Sequence, residues 1–151
     1  MSLIRDLSLA PSGEMKIQWV ERHMPVLRGI GEDFRRTRPF EGLNIALSVH
    51  LCRVMEMGGA EMYVTGSNPL STQDDVAAAL AAGGMQVFAR YGCSMEEYEQ
   101  CLCEVLVPGP NLIIDDGGDL VHLMHTKFTQ LIPGVIGGCE ETTTGIHRLR
   151  A

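Results

Sequence analysis

Two carboxylates and three hydroxyls stand side by side near the end of this 151-residue sequence, within Glu140–Gly145. Carboxylates accept hydrogen bonds from sugar hydroxyls and can also take up protons, while threonine hydroxyls both donate and accept. The adjoining glycine lets a ligand or a second backbone approach closely. The segment therefore predicts a site for a polar ligand, close to the point where the sequence stops.

Three other polar segments directly follow stretches with strand-like patterning: His50, Gly66–Pro69 and Asp115–Asp119. In parallel sheets, ligands bind beyond the carboxyl ends of the strands, so these groups and Glu140–Thr142 are expected to converge on one edge. Each has a structural alternative. Asn68-Pro69 forms turns, Asp116-Gly117 suits a loop, Ser71 or Thr72 suits a helix cap, and His50 could be an ordinary histidine at a strand end.

The elements that position these groups alternate between strands and helices. Residues 43–50 alternate apolar with small or polar side chains, the period of a strand. Further strand-like stretches are 61–65, 86–91, 111–114 and 134–138. Helices are predicted for Lys16–Gly29, with a break at Pro25, and for Asp74–Ala82, with a capping-box start in Ser71–Asp75. The pattern predicts an α/β fold with a mostly parallel, Rossmann-like sheet flanked by helices.

One connection is too short for a normal parallel crossover. Only residues 51–60 separate His50 from Glu61, whereas a crossover usually takes a dozen residues or more. Ten residues allow two helical turns at most. We expect a shortened helix at this point of the fold.

Composition and charge narrow the classes of function. Apolar residues make up 45% and charged residues 21%, which is typical of a globular protein, and 1–151 is expected to form a single domain. The net charge of −7 disfavours binding to nucleic acid. No apolar run reaches the length of a membrane span, and no secretory signal is evident, so neither a membrane partner nor secretion is expected, and a cytoplasmic location is predicted.

Cysteine and histidine patterns do not indicate a metal site. The five cysteines lack a C-x-x-C pair and are odd in number, so reduced, mostly buried thiols are expected. His122 and His125 could share a helical face, but no third ligand stands at a suggestive spacing. No metal is predicted.

Six stretches carry family-specific patterns: Leu7–Pro11, His23–Leu27, Gly66–Leu80, Asp115–Leu120, His125–Lys127 and Glu140–Gly145. In this order along the chain, they resemble the N-terminal part of S-adenosylhomocysteine hydrolase. The resemblance covers nearly all of this sequence but only about the first third of a family member.

The resemblance implies a reaction and its participants. The family cleaves the thioether of S-adenosylhomocysteine to adenosine and homocysteine, using a tightly bound NAD that transiently oxidises the ribose. Such chemistry requires groups that move protons beside the ribose and hold its hydroxyls in place. An adenosylhomocysteinase substrate-binding domain is therefore expected, with S-adenosylhomocysteine or adenosine as ligand and NAD as cofactor.

The same resemblance implies roles for individual residues. Asp116 resembles the carboxylate beside ribose C4′ and C5′, His50 the histidine at the leaving group, and Glu141 the ribose-binding carboxylate. Ser71 is placed to line the adenosine pocket. Thr142, Thr143 and Thr144 resemble hydroxyls that contact NAD, whereas Asp115 and Glu140 are expected to be structural neighbours.

Two departures from the family pattern limit these expectations. An ungapped comparison puts Cys52 and Val54 where the family has an adenosine-binding threonine and glutamate, and the helix there is about two turns short. The sequence also has no G-x-G-x-x-G motif and stops before the family's catalytic lysine and NAD-binding domain. We therefore expect an incomplete substrate-binding domain that does not catalyse turnover by itself.

Two alternatives to an enzyme fragment remain. The chain could be a non-catalytic adenosine-binding protein. It could also be an interaction protein that binds full-length homologues or a second copy of itself. Self-association is predicted from the apolar stretch Val54–Ala60.

Overall fold

Five parallel β-strands form a sheet at the centre of the computed structural model, which describes residues 2–48 and 52–151. Their order across the sheet is β3-β2-β1-β4-β5. This parallel sheet with helices on both faces confirms the predicted α/β, Rossmann-like class. In chain order the strands are β1 (Asn44–Leu47), β2 (Glu61–Thr65), β3 (Gln86–Phe88), β4 (Leu112–Asp115) and β5 (Gly137–Glu140).

The strand order reverses direction between β1 and β4. The chain moves outward from β1 through β2 to β3, then returns to place β4 on the other side of β1. Leu47 pairs with Ile114, so Ser48 and Asp115 follow side by side at the carboxyl edge. A crevice at such a reversal is the usual ligand site of an open parallel sheet.

Helices cover both faces of the sheet and bury all of its central strand except Asn44. Their ranges are α1 (Ala10–His23), α2 (Pro25–Thr37), α3 (Cys52–Met57), α4 (Asp74–Ala82), α5 (Met95–Leu106), α6 (Asp119–Thr126) and α7 (Thr143–Leu149). Ile45 and Leu47 face the cluster formed with α1, α3 and α4, while Ala46 faces the cluster formed with α5 and α6. All three side chains have no exposed surface, as expected for a strand covered on both faces.

The predicted N-terminal helix is two helices, broken at the predicted proline. Pro25 is the first residue of α2, where its missing N–H has no hydrogen bond to lose. Met24 between the helices departs from helical backbone angles, with φ −118° and ψ 71°. The break therefore falls where the sequence places it, although α1 begins earlier and α2 ends later than Lys16–Gly29.

The helix after β1 is short, as predicted. α3 contains six residues and leads through Gly58 and Gly59 into β2. Val54–Ala60 is half-buried or buried, and the self-association predicted from this stretch stays a prediction. The stretch packs against the sheet, and Phe40 lies over Gly58.

The predicted cap of α4 is wrong although the helix itself is confirmed. Gln73 is the N-cap residue and its side chain makes no capping hydrogen bond. The hydroxyls of Ser71 and Thr72 instead donate to the Asn68 carbonyl oxygen, at 3.2 and 3.1 Å. Both residues therefore close the turn before the helix, which leaves them unavailable as caps.

The last strand begins three residues later than its predicted start. Thr129–Gly134 forms a 3₁₀ helix that contains Pro133, so β5 pairs through Gly137–Glu140. Of the four cysteines that the structure describes, only Cys101 is buried, whereas Cys93 and Cys103 are half-buried and Cys139 is exposed, so the prediction of mostly buried thiols is wrong. No helix among residues 2–48 and 52–151 has the length and hydropathy of a membrane span.

Candidate functional site

A buried carboxylate anchors the carboxyl edge of the sheet at the point where the strand order reverses. Asp115, the last residue of β4, has no exposed surface. Its Oδ1 accepts hydrogen bonds from the Ser48 hydroxyl at 2.9 Å and the Asp116 N–H at 3.0 Å. Its Oδ2 accepts from the Val121 N–H at 3.0 Å, in the first turn of α6. Three donors therefore compensate for the water that this side chain has lost.

The ionisation of Asp115 reflects its burial. Loss of hydration raises the pKa of its carboxyl above the ordinary value. The hydrogen bonds from Val121, Ser48 and Asp116 oppose that rise without cancelling it. Asp115 is thus a structural carboxylate, as expected, and its side chain is sequestered from any ligand in the crevice.

The two carboxylates predicted to meet the substrate lie at the ends of neighbouring strands. Asp116 donates its N–H to Ser48 Oγ at 3.1 Å as well as to Asp115. Glu141 donates its N–H to the Asp115 carbonyl oxygen at 3.0 Å, extending the pairing of β4 with β5. Within the described part of the chain, neither carboxylate takes part in a hydrogen bond or an ion pair. Their backbones are fixed while their side chains are available.

A second carboxylate network supports the loop after Asp116. Oε1 of Glu140 accepts the Gly117 N–H at 2.8 Å, and both the N–H and the hydroxyl of Thr142, at 2.9 and 2.6 Å. Burial alone would raise the pKa of Glu140, but these hydrogen bonds outweigh it and lower the pKa. Gly145 lies against the same carboxylate, and a Cβ at that position would fall 2.2 Å from Oε1. Glu140 is therefore structural, as expected.

The three threonines predicted to contact NAD differ in their availability. The hydroxyl of Thr142 donates to Glu140 and accepts the Gly145 N–H at 2.9 Å, which makes Thr142 the N-cap of α7. Thr143 and Thr144 are exposed in the first turn of α7. Two of the three threonines are therefore exposed, and their predicted contact with NAD stays a prediction.

Ser71 belongs to a different part of the edge. It lies on an open cleft of about 950 Å³ between the N-terminal helices and the ends of β1 and β2. Ser48, Gly66 and Ser67 also border this cleft, whereas Asp116 and Glu141 do not. Ser48 is therefore the structural link between the cleft and the anchored carboxylates.

Tyr98 connects two of the loops at the carboxyl edge. Its buried hydroxyl lies 2.9 Å from the Ser67 carbonyl oxygen and 3.1 Å from Asp119 Oδ2, and it can donate to either. Burial and the neighbouring Asp119 raise the pKa of Tyr98, so the hydroxyl remains protonated. Arg148 from α7 pairs with the other oxygen of Asp119 at 2.7 Å. Tyr98 and Ser48 were not predicted: Tyr98 stands among the acidic residues of α5, and Ser48 within the alternating pattern of 43–50, so neither follows a predicted strand.

The structure describes two of the three histidines that the sequence analysis considered. His50 lies outside the described residues, so its predicted role stays a prediction. His122 and His125 are exposed on α6. Across residues 2–48 and 52–151, no three His, Cys, Asp or Glu side chains are grouped as metal ligands would be.

Comparison with known proteins gives extensive matches. The family model described as S-adenosyl-L-homocysteine hydrolase matches residues 2–130. The chain is 52% identical to "S-inosyl-L-homocysteine hydrolase" of Methanococcus maripaludis, over 100% of this chain and 38% of that protein. It is 51% identical to the protein of the same name from Methanocaldococcus jannaschii, over 98% of this chain and 37% of that one. It is 48% identical to "Adenosylhomocysteinase" of Pyrococcus abyssi, again over 98% and 37%.

The chain matches only part of the length of these relatives. It spans about 38% of the length of the Methanococcus maripaludis protein. With the predicted sheet and the carboxylates at its edge in place, the chain belongs to the S-adenosyl-L-homocysteine hydrolase family.

Proposed function

We propose that this chain is the substrate-binding part of an NAD-dependent hydrolase of S-nucleosyl-homocysteines, and that it holds the ribose at the carboxyl edge of the sheet. The observation that carries the proposal is the pair Asp116 and Glu141. Their backbone N–H groups are anchored on Asp115 while their carboxylates are uncommitted within the described residues. Carboxylates held in this way can accept hydrogen bonds from a vicinal diol such as the ribose 2′- and 3′-hydroxyls.

The two carboxylates have different tasks in this proposal. Glu141 is exposed at the end of β5 and binds the ribose hydroxyls. Asp116 is half-buried in the crevice between β1 and β4, and works beside ribose C4′ and C5′, where a carboxylate can accept and return a proton. Ser71 contacts the nucleoside from the cleft wall. His50, by the family resemblance, serves the leaving group.

The residues present fit one side of an NAD site. Thr143 and Thr144 offer exposed hydroxyls, next to the edge that holds the ribose. When bound, NAD supplies reversible hydride transfer at the ribose, which no side chain can supply. We propose that the 151 residues bind the nucleoside and do not complete the reaction without the remaining part of the family fold.

The proposal also concerns which purine base the site accepts. The relatives' names include both S-inosyl and adenosyl substrates. Ribose carboxylates do not distinguish adenine from hypoxanthine. The α3 wall has Val54 where the resemblance expects a glutamate, so polar recognition of the base by that side chain is absent. We therefore propose purine ribonucleosides as the ligand class, with adenosine and inosine both accepted.

Calorimetric titration of the chain with adenosine and inosine tests the proposal. We expect both nucleosides to bind, 2′,3′-dideoxyadenosine to bind much more weakly, and Asp116→Asn and Glu141→Gln each to weaken adenosine binding about tenfold or more. Glu61→Gln is the matched control, because Glu61 is an exposed carboxylate at the opposite, amino end of β2. No heat with either nucleoside at millimolar concentration would refute the proposal.

Catalysis is tested separately with S-adenosylhomocysteine and added NAD. We expect no homocysteine from this chain alone. Release of homocysteine by the purified chain would show that these 151 residues are sufficient for turnover. It would overturn the proposal that the chain binds the nucleoside but does not complete the reaction alone.

We also propose that the chain associates with a full-length homologue or with a second copy of itself. The surface that supports this proposal lies on α1 and α2 and not on Val54–Ala60. Large apolar side chains are exposed on α1 and α2, among them Met15, Trp19 and Val26 at 67%, 61% and 77%. Exposed apolar groups of this size often mark contact surfaces. Light scattering on the purified chain tests self-association, and a monodisperse monomer at high concentration would contradict it.

A further inference from the structure

Ser48 and Asp115 form a buried pair directly behind the two carboxylates assigned to the substrate. Ser48 is 1% exposed and Asp115 is 0% exposed, and they lie 2.9 Å apart although 67 residues separate them in the chain. We propose that Ser48 and Asp115 are positioning residues that set the orientation of Asp116 and Glu141 towards the nucleoside. This inference rests on the proposed function.

The first step concerns Asp116. Its N–H lies within hydrogen-bond distance of both Ser48 Oγ, at 3.1 Å, and Asp115 Oδ1, at 3.0 Å. Ser48 Oγ in turn donates to Asp115 Oδ1. The three groups close a small ring that fixes the peptide from which the Asp116 side chain departs. On the C-terminal side, the Gly117 N–H is held by Glu140 Oε1, at 2.8 Å, so Ser48 and Asp115 provide the anchor on the N-terminal side of this loop.

The second step concerns Glu141. Its N–H donates to the carbonyl oxygen of Asp115, at 3.0 Å, so the same residue that holds Asp116 through its side chain holds Glu141 through its main chain. A shift of Asp115 therefore moves both carboxylates together. Because carboxylates must be placed accurately to bind both hydroxyls of a ribose, small shifts at Asp115 should lower nucleoside affinity.

The third step separates positioning from folding. Asp115 also accepts the Val121 N–H at the start of α6, so replacing Asp115 would disturb the fold as well as the site. The Ser48 hydroxyl contacts only Asp115 and Asp116 among the hydrogen bonds of the described residues. Ser48 is therefore the position at which the proposal can be tested without removing the support of α6.

A double-mutant cycle with adenosine as the probe tests the inference. Ser48→Ala should weaken adenosine binding about tenfold in the wild-type background and clearly less in the Asp116→Asn background, because most of its action passes through Asp116 and only a smaller part reaches Glu141 through Asp115. Ser48→Thr keeps the hydroxyl, so its adenosine affinity should lie closer to that of wild type than the affinity of Ser48→Ala does. Equal losses from Ser48→Ala in both backgrounds would overturn the inference.

A stability-matched control distinguishes positioning from general destabilisation. Ser94 caps α5 through a complete capping box with Glu97, and it stands far along the chain from Ser71, Asp116 and Glu141. Ser94→Ala should lower stability without changing adenosine affinity. If Ser94→Ala weakens binding as much as Ser48→Ala does, the positioning role is refuted.

A measurement without ligand keeps this inference separate from the proposed function. In amide NMR spectra, Ser48→Ala should shift the Asp116 signal strongly and the Glu141 signal detectably, and should accelerate exchange of the Asp116 amide proton. Unchanged Asp116 and Glu141 signals would overturn positioning even if adenosine binds. Shifted signals in a chain that binds neither adenosine nor inosine would refute the proposed function while leaving the geometric link in place.

Discussion

Replacing Gly145 by alanine should damage the edge of the sheet, although alanine is the better helix former. Gly145 is buried in the first turn of α7, and an added Cβ would lie 2.2 Å from both Cδ and Oε1 of Glu140, and 2.6 Å from Oε2. Contacts this short cannot persist. The Glu140 carboxylate must therefore move away from its three donors, which belong to Gly117 and Thr142.

The size of the effect follows from those hydrogen bonds. Each bond to a charged acceptor contributes about 1.5 kcal/mol or more to stability, and partial loss of three would cost roughly 3–4 kcal/mol. Alanine's higher helix propensity returns at most about 1 kcal/mol. A net loss of about 2–3 kcal/mol would lower the urea midpoint by roughly 1 M, for a dependence of about 2 kcal/mol per molar.

Urea denaturation and amide hydrogen exchange measure this prediction. We expect Gly145→Ala to unfold at lower urea and to lose protection at the amides of Gly117 and Thr142. Gly29→Ala is the control, because a Cβ added to Gly29 within α2 would meet open space, so that variant should be neutral or slightly stabilised. If Gly145→Ala behaves like Gly29→Ala, or if its effect persists when Glu140 is also replaced by alanine, the proposed clash is wrong.

Two other predictions concern packing and pH. Gly13→Ala should destabilise the chain by about 3 kcal/mol or more, since the added Cβ would lie 1.9 Å from the main-chain oxygen of Asp75, which cannot rotate away; a urea midpoint equal to that of wild type would contradict this. Glu140 has a lowered pKa in the folded chain, so it contributes stability above its ordinary value of 4.5 that is lost as the pH falls below it. Urea midpoints measured from about pH 3 to 7 should therefore fall less steeply with decreasing pH for Glu140→Gln than for wild type. If the midpoints of both proteins fall equally steeply, Glu140 does not have the lowered pKa.

Local sequence patterns predicted the presence of the strands and helices that position the site better than they predicted the caps and boundaries of those elements. The alternation in 43–50 and the apolar stretch at 111–114 correctly indicated β1 and β4, because a buried strand must present apolar groups to covering helices. The cap of α4 and the start of β5 were wrong. In both cases a competing local structure, the turn closed by Asn68 and the 3₁₀ helix at Thr129–Gly134, took residues that the pattern alone assigned elsewhere.

The candidate site was predictable in part for the same reason. Asp116 and Glu141 were singled out as polar groups directly after strands, and both lie at strand ends that neighbour one another. Their individual chemical roles stay predictions. Ser48 was not predicted, because a serine within an alternating strand pattern is indistinguishable from one on a polar face until its partner is known.

The sequence by itself determined the class of fold, the family and the polar residues that follow the strands, since these depend on periodicity and on residue types in fixed order. Only the tertiary structure decided that β4 lies beside β1, which brings Ser48 to Asp115 across 67 residues. Periodicity shows which faces of a strand are buried but not which strand lies next to it. Lateral order is set by the packing of helices from distant parts of the chain, and that order places Asp116 and Glu141 on a common anchor.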